Sequence, residues 1–197
     1  MKRRQAIKNS LMVGGATVLG TSLLSILQSC KEENRLSWTP VFLKPDHARL
    51  IASLVDTLLP KTATPGGLDV KVDIFIDKVL HKLYNKEGQS AILTEMDNFN
   101  NKCKTSYGKV FELMSDDQKK ELLSLEEKSS PKFNSGVWGT TVGDQKPVGF
   151  YRTIKSMAIW GYCTSEEIAK NVLAYDPVPQ TYNGCYPVSE IKTIWSL

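Results

Sequence analysis

The chain has 197 residues, enough for one domain with a core of its own, and a formal charge of +4. That excess lies wholly in the first thirty residues, where Lys2, Arg3, Arg4 and Lys8 are the only charged side chains; the remainder holds 21 basic and 21 acidic residues. A neutral body offers no concentrated basic face to displace counterions, which argues against a nucleic-acid-binding function.

The N-terminus reads as a targeting segment. The basic stretch Lys2-Arg3-Arg4-Gln5-Ala6-Ile7-Lys8 precedes an uncharged run from Leu11 to Ser29. That run, 19 residues long, could just span a bilayer as a signal anchor, but Gly14, Gly15 and Gly20 suit a cleavable export signal better. Arg3-Arg4, with Ile7 and Lys8 behind them, resembles a twin-arginine signal, although Lys2 stands where Ser or Thr is usual. Leu27-Gln28-Ser29-Cys30 resembles a lipoprotein signal-peptidase box, aliphatic three residues before the cysteine and small directly before it. The expected organisation is a signal peptide over 1–29, a tether over 30–45 lipidated at Cys30, and a helical domain over 46–197. Acyl chains gain about 0.8 kcal/mol per buried methylene, so several of them make an effectively permanent anchor. Lys31-Glu32-Glu33 resembles a signal that sends some lipoproteins to the cell surface, and reads equally well as the start of a solvated linker.

From Asp46, a plausible N-cap, the pattern is helical. Leu50, Ile51, Leu54, Val55, Leu58 and Leu59 recur at helical spacing until Pro60, and Thr64-Pro65-Gly66-Gly67 forms a turn. A second helix is predicted over 69–84, with Val72, Phe75, Ile76, Val79, Leu80 and Leu83 on one face. A third, over 87–107, carries the thinner stripe Ile92, Met96, Phe99 and Cys103, and Gly108 ends it. Ser115-Asp116-Asp117-Gln118 is a capping box ahead of Leu122, Leu123 and Leu125. Residues 128–147, rich in Ser, Gly, Pro and Thr, are predicted as the longest loop, a class often used for partner contact. A fifth helix over 148–162 should bury Phe150, Ile154 and Met157, with Trp160 a further candidate. Thr164-Ser165-Glu166-Glu167 reads as another capping box, opening a short helix to Leu173. The rest, from Ala174, reads as an extended tail packed along the surface. The fold class is all-α: a single-domain irregular bundle of about five or six helices with an extended C-terminal tail.

Chemistry-bearing motifs are scarce. His47 and His81 fall in different helices with no Cys, Asp or Glu pattern around them, and read as surface or boundary residues rather than metal ligands. No Cys-x-x-Cys-His, G-x-G-x-x-G or G-x-S-x-G occurs, so no attached haem, dinucleotide fold or nucleophile elbow is encoded by those motifs. Asp73 and Asp77 lie one helical turn apart and would suit acid–base work, but a solvated helix face paired with nearby lysines is the simpler reading. No catalytic, cofactor-binding or metal-binding residue is therefore assigned. With Cys30 lipidated, Cys103, Cys163 and Cys185 remain, an odd number that leaves one thiol over or paired with another chain. Cys185 lies in the tail with Tyr175, Pro177, Pro179, Tyr182, Tyr186 and Trp195. Tyr and Trp give large contact area at low entropic cost, so Tyr175, Pro177, Pro179, Tyr182 and Cys185 are the candidate partner contacts; self-packing is the alternative.

Two stretches resemble a known family. The first is Leu58-Leu59-Pro60-Lys61-Thr62-Ala63-Thr64-Pro65-Gly66-Gly67-Leu68-Asp69-Val70, continuing to Phe75-Ile76-Asp77. The second is Gly161-Tyr162-Cys163-Thr164-Ser165-Glu166, followed by Tyr175-Asp176-Pro177-Val178-Pro179 and Tyr182-Asn183-Gly184-Cys185. Over 46–188 the chain resembles the gluconate 2-dehydrogenase subunit 3 family, with Gly67 in place of the usual Ala and Cys163 in place of the usual aromatic. The resemblance implies a non-catalytic small subunit that escorts, stabilises and anchors a large FAD-dependent subunit of the glucose–methanol–choline type. That partner would oxidise a sugar, sugar acid or glycoside and pass electrons to a cytochrome c subunit. FAD is expected in the partner and no cofactor in this chain. The implied location is the periplasmic side of a membrane or the cell surface. A stand-alone lipoprotein binding sugars or glycans is the competing reading, and a stand-alone enzyme the least favoured.

Overall fold

The computed structural model describes residues 38–133, 136–137, 140–141, 148–176, 184–191 and 193–196. Arg3, Arg4, Cys30 and Lys31-Glu32-Glu33 lie outside the described residues, as do Pro177, Pro179 and Tyr182. Residues Trp38–Leu197 form one compact unit.

The regular elements among the described residues are helices, apart from a small antiparallel ladder pairing Gly136–Val137 with Thr140–Thr141, in the segment predicted as the long loop, and one isolated bridge in the tail. Helix α1, Pro45–Leu58, starts one residue before the expected Asp46 cap. Lys44 is its N-cap without a side-chain bond, and Pro45 at the first helical position needs no N–H partner. Asp46 instead lies in the first turn, bonded to Arg49. Helix α2, Val72–Leu83, is shorter than predicted because 68–71 make a turn, with Lys71 in the left-handed region at φ 60° and Val72 N–H bonded to Gly67 O at 3.0 Å. Leu83, expected on the buried stripe, is the last residue of α2 and is exposed.

Helix α3, Lys86–Tyr107, is capped by Asn85, which accepts from Gly88 N–H at 2.8 Å. Gly108, at φ 70°, closes it in the left-handed conformation that glycine adopts without penalty. All four residues of the predicted stripe, Ile92, Met96, Phe99 and Cys103, are buried. A short 3-10 turn, Phe111–Leu113, precedes α4, Asp116–Ser129, where Ser115 and Gln118 form the expected reciprocal box. Helix α4 runs into the predicted loop, burying Leu122 and Leu123 and leaving Leu125 outside. Helix α5, Phe150–Cys163, buries Phe150, Ile154 and Met157, whereas Trp160 stays half exposed and packs edge-on to Phe75. Helix α6 is only Glu166–Asn171, and its expected capping box is absent: Ser165 Oγ donates to Tyr162 O at 2.7 Å instead.

Helix α1 is central, touching α2, α3, α4, α5 and the Phe111–Leu113 turn; α5 also packs on α2, α3 and α4. Their shared interior holds Leu50, Ile51 and Leu54 with Ile76, Leu80, Met96, Leu122 and Ile154, and Phe99 sits between Phe111 and Phe150 at ring distances of 5.5 and 5.2 Å. Each such side chain stabilises the fold by about 1.5–3 kcal/mol through burial. An ion network the sequence did not reveal joins α4 to α5: Glu127 accepts from Arg152 at 3.0 Å and from Lys155 at 2.6 Å. The Lys155 bond, with help from Tyr151 and Arg152, holds the Glu127 carboxyl down to about 2, while burial first and Glu127 second push the Tyr151 hydroxyl up to about 12.

The tail folds back on itself. Ala174 pairs in parallel with Trp195, through Ala174 N–H to Ile194 O at 3.0 Å and Ser196 N–H to Ala174 O at 2.9 Å. A 3-10 turn, Val188–Glu190, lies between them in sequence.

Candidate functional site

The first stretch that carries the family resemblance meets the Gly161–Glu166 part of the second in space. Between α1 and α2 the chain turns through Thr62–Gly67, and this turn faces the α5–α6 junction. Tyr162 Oη donates to Pro65 O at 2.7 Å across 97 residues of sequence. Asp69 fastens the turn from within, accepting from Gly66 N–H at 2.9 Å and pairing with Lys61 at 3.2 Å. Those two partners, the Gly66 amide first, hold the Asp69 carboxyl below its ordinary range.

Glycine is required at three places here, the first being Gly66, whose Cβ would lie 2.8 Å from the Lys61 backbone N. A Cβ on Gly67 would lie 2.6 Å from Val55 Cγ1 and 3.1 Å from Leu59 Cβ, which accounts for glycine where the resemblance has alanine. A Cβ on Gly161 would lie 2.5 Å from Phe75 Cδ1, so its absence lets α5 close on α2. Beside them lies an open cleft of about 740 Å³ whose lining mixes Ala63, Pro65 and Val70 with Lys61, Thr64, Asp69, Lys71, Ser165, Glu166 and Glu167. Its charges of both signs and its hydroxyls suit a polar protein surface.

The carboxylates considered for acid–base work do something else, and the solvated-face reading is corrected. Asp77 is fully buried, at 0% exposure, and accepts three backbone N–H bonds, from Val41 at 2.8 Å, Phe42 at 3.1 Å and Leu43 at 2.8 Å. Asp73, also buried, accepts from the Trp38 indole N–H at 2.8 Å. Both are spent on fastening residues 38–43, the end of the segment read as tether, along α2. Three successive backbone N–H groups in a bend converge on one point and need an acceptor, which the buried Asp77 carboxylate supplies. His47 also departs from expectation: it is buried, with Nε2 2.8 Å from Asp97 Oδ1. The His47 bond, foremost, lowers the Asp97 carboxyl. The cleft around them, about 580 Å³, mixes Lys44, Arg49 and Lys104 with Asp97 and Glu112. His81 is half-buried, stacked on Phe42 at 6.5 Å, as a boundary residue should be.

Of the candidate partner contacts, Tyr175 is 47% exposed and Cys185 is exposed as well. Tyr175 shares with Tyr186 and Trp195 a shallow cleft of about 540 Å³ closed by the Ala174–Trp195 pairing. Tyr186 and Trp195 pack edge-on at 6.5 Å, so part of the aromatic strip packs on itself while half of each ring surface still faces out. Cys103 is fully buried, and burial pushes its thiol up to about 11. Among the described residues no group of three or more His, Cys, Asp or Glu side chains is placed to hold a metal ion. Among them, too, no helix is long and apolar enough to cross a membrane.

Comparison with known proteins gives one result. The family model described as gluconate 2-dehydrogenase subunit 3 matches residues 45–179. No curated protein matches, and no solved structure matches.

Proposed function

The chain belongs to the gluconate 2-dehydrogenase subunit 3 family, and from that membership we propose that it is a non-catalytic small subunit that escorts, stabilises and anchors an FAD-dependent dehydrogenase of the glucose–methanol–choline type. Family membership makes it a subunit of a dehydrogenase complex with a larger partner. The substrate class proposed for that partner is a sugar, sugar acid or glycoside, with a cytochrome c subunit as electron acceptor. The observation that carries the reading is the family match over 45–179. It is supported by Tyr162 of the second signature stretch bonding Pro65 of the first, and by Asp77 being committed to three backbone N–H groups and Asp73 to the Trp38 indole, where no substrate could use them.

The export and anchoring parts rest on the N-terminal sequence. Arg3-Arg4 would route a folded pair through the twin-arginine pathway, which a partner loaded with FAD before export requires. Cys30 would carry the lipid anchor, on the periplasmic side of a membrane or at the cell surface. Replacing Arg3 and Arg4 with Lys should hold this chain and its flavoprotein partner together in the cytoplasm. Export of the partner at the normal level in that variant would contradict the escort role.

A second reading, a lipoprotein that binds sugars or glycans unaided, has one observation in its favour: the tail cleft is edged by Tyr175, Tyr186 and Trp195. Aromatic faces of this kind stack against sugar rings, so the isolated chain would then bind a sugar measurably without any partner.

A further inference from the structure

We propose that the outward face of α2 docks on an anionic lipid surface, holding the anchored body in one orientation. The inference rests on the anchoring at Cys30 proposed above and deepens it. Helix α2 contains two carboxylates, Asp73 and Asp77, and both are buried against residues 38–43. What remains toward solvent is one-signed. Ile74, Lys78 and Lys82 recur at spacings of four, which stacks them along one face of the helix, and Lys71, its left-handed N-cap, stands just ahead of them. The three lysines are exposed and Ile74 is half-buried. Among the described residues none of these lysines is in an ion pair with a carboxylate, although other lysines of the body are.

Alongside this stripe runs the fastened segment, with Val41 63% exposed and Phe42 stacked on His81. Lysines around a few outward apolar side chains make a surface that fits acidic headgroups at the boundary of a bilayer. Chain length favours the same occupant. Only residues 31–37 separate Cys30 from Trp38. The eight steps from Cys30 to Trp38 reach no more than about 29 Å. Trp38 is in turn held by Asp73 on α2 itself. Acyl chains on Cys30 would therefore hold Trp38, and the end of α2 it is bonded to, within that reach of the headgroups. A single tether lets a body swivel; a second, electrostatic contact on the same side removes that freedom.

The test uses the chain from residue 30 with Cys30→Ser, which keeps the compact unit whole and removes acyl binding. Vesicles containing phosphatidylglycerol should sediment it, vesicles of phosphatidylcholine alone should not, and added salt should release it. The triple variant Lys71→Gln, Lys78→Gln, Lys82→Gln should bind the anionic vesicles roughly a hundredfold more weakly, at about fivefold per lysine. A control with Lys109, Lys120 and Lys128 changed to Gln should bind as the parent does. Equal binding by both triple variants overturns the proposal, as does no preference of the parent for the anionic vesicles. Loss of the large subunit from the α2 variant with vesicle binding intact also overturns it, assigning the stripe to a protein partner. Acyl labelling of the unmodified chain at Cys30 is read separately, so failure of the anchor is distinguishable from failure of the stripe.

Discussion

Asp77→Ala is the most informative change in the body. Its carboxylate accepts the N–H groups of Val41, Phe42 and Leu43 with no exposure to solvent. Hydrogen bonds to a charged group contribute about 1.5–3 kcal/mol each, so three of them set an upper bound near 4–9 kcal/mol. The variant will not lose that much, because residues 38–43 lie at the edge of the compact unit and their amides regain water by peeling away. What remains is the docking of this segment, with Leu43 buried and the Trp38 indole bonded to Asp73. A loss of about 3 kcal/mol follows. Asp73→Ala removes a single bond to the same kind of acceptor and should cost about 1.5–3 kcal/mol. Urea unfolding gives both values, and hydrogen exchange locates them: the amides of Val41 and Leu43 should exchange quickly in Asp77→Ala and remain protected in Asp73→Ala. Unchanged protection at those amides in Asp77→Ala, with an unchanged urea midpoint, would refute the latch.

Two further outcomes follow from the same geometry. Gly161→Ala drives a methyl to within 2.5 Å of the Phe75 ring, an overpacking penalty of about 1–3 kcal/mol that the better helix propensity of Ala offsets by about 1 kcal/mol. The urea midpoint should therefore fall modestly, and a rise would show that α2 and α5 are free to separate. Glu127, whose carboxyl is held down to about 2 from an ordinary 4.5, stabilises the fold fully above the higher value and loses that contribution as pH falls toward the lower. A Glu127→Gln variant should lose stability at neutral pH and show a flatter stability profile between those two limits than the parent.

The helices were legible because their apolar periodicity is strong. The stripe Ile92, Met96, Phe99, Cys103 and the Ser115–Gln118 box appear where the pattern puts them. The misreadings share a physical cause: long-range acceptors and donors leave no local signature. Asp73 and Asp77 sit one position past Val72 and Ile76, at the rim of the apolar stripe, a place that by local pattern alone belongs to solvent. What buries them is a row of amides some 34–36 residues away. The bend at Val41–Leu43 that aims these amides at one carboxylate has no signature in the local pattern either. His47 was misjudged in the same way, because Asp97 lies 50 residues on. Leu83 failed because the stripe ran off the end of its helix, and Ser165 because its hydroxyl found the Tyr162 carbonyl before the α6 amides. At the candidate site the two signature stretches were visible as sequence. Their meeting through Tyr162 and Pro65 was not, since the contact spans 97 residues.

The claim that this chain serves a larger enzyme is tested most directly by isolating it, tagged, from its native host and analysing what comes with it. A polypeptide several times its length, bearing flavin and sugar-oxidising activity that the small chain lacks when purified alone, is the expected result. Recovery of the chain by itself, with affinity for a sugar and no flavoprotein attached, would contradict the account and favour the stand-alone binding role.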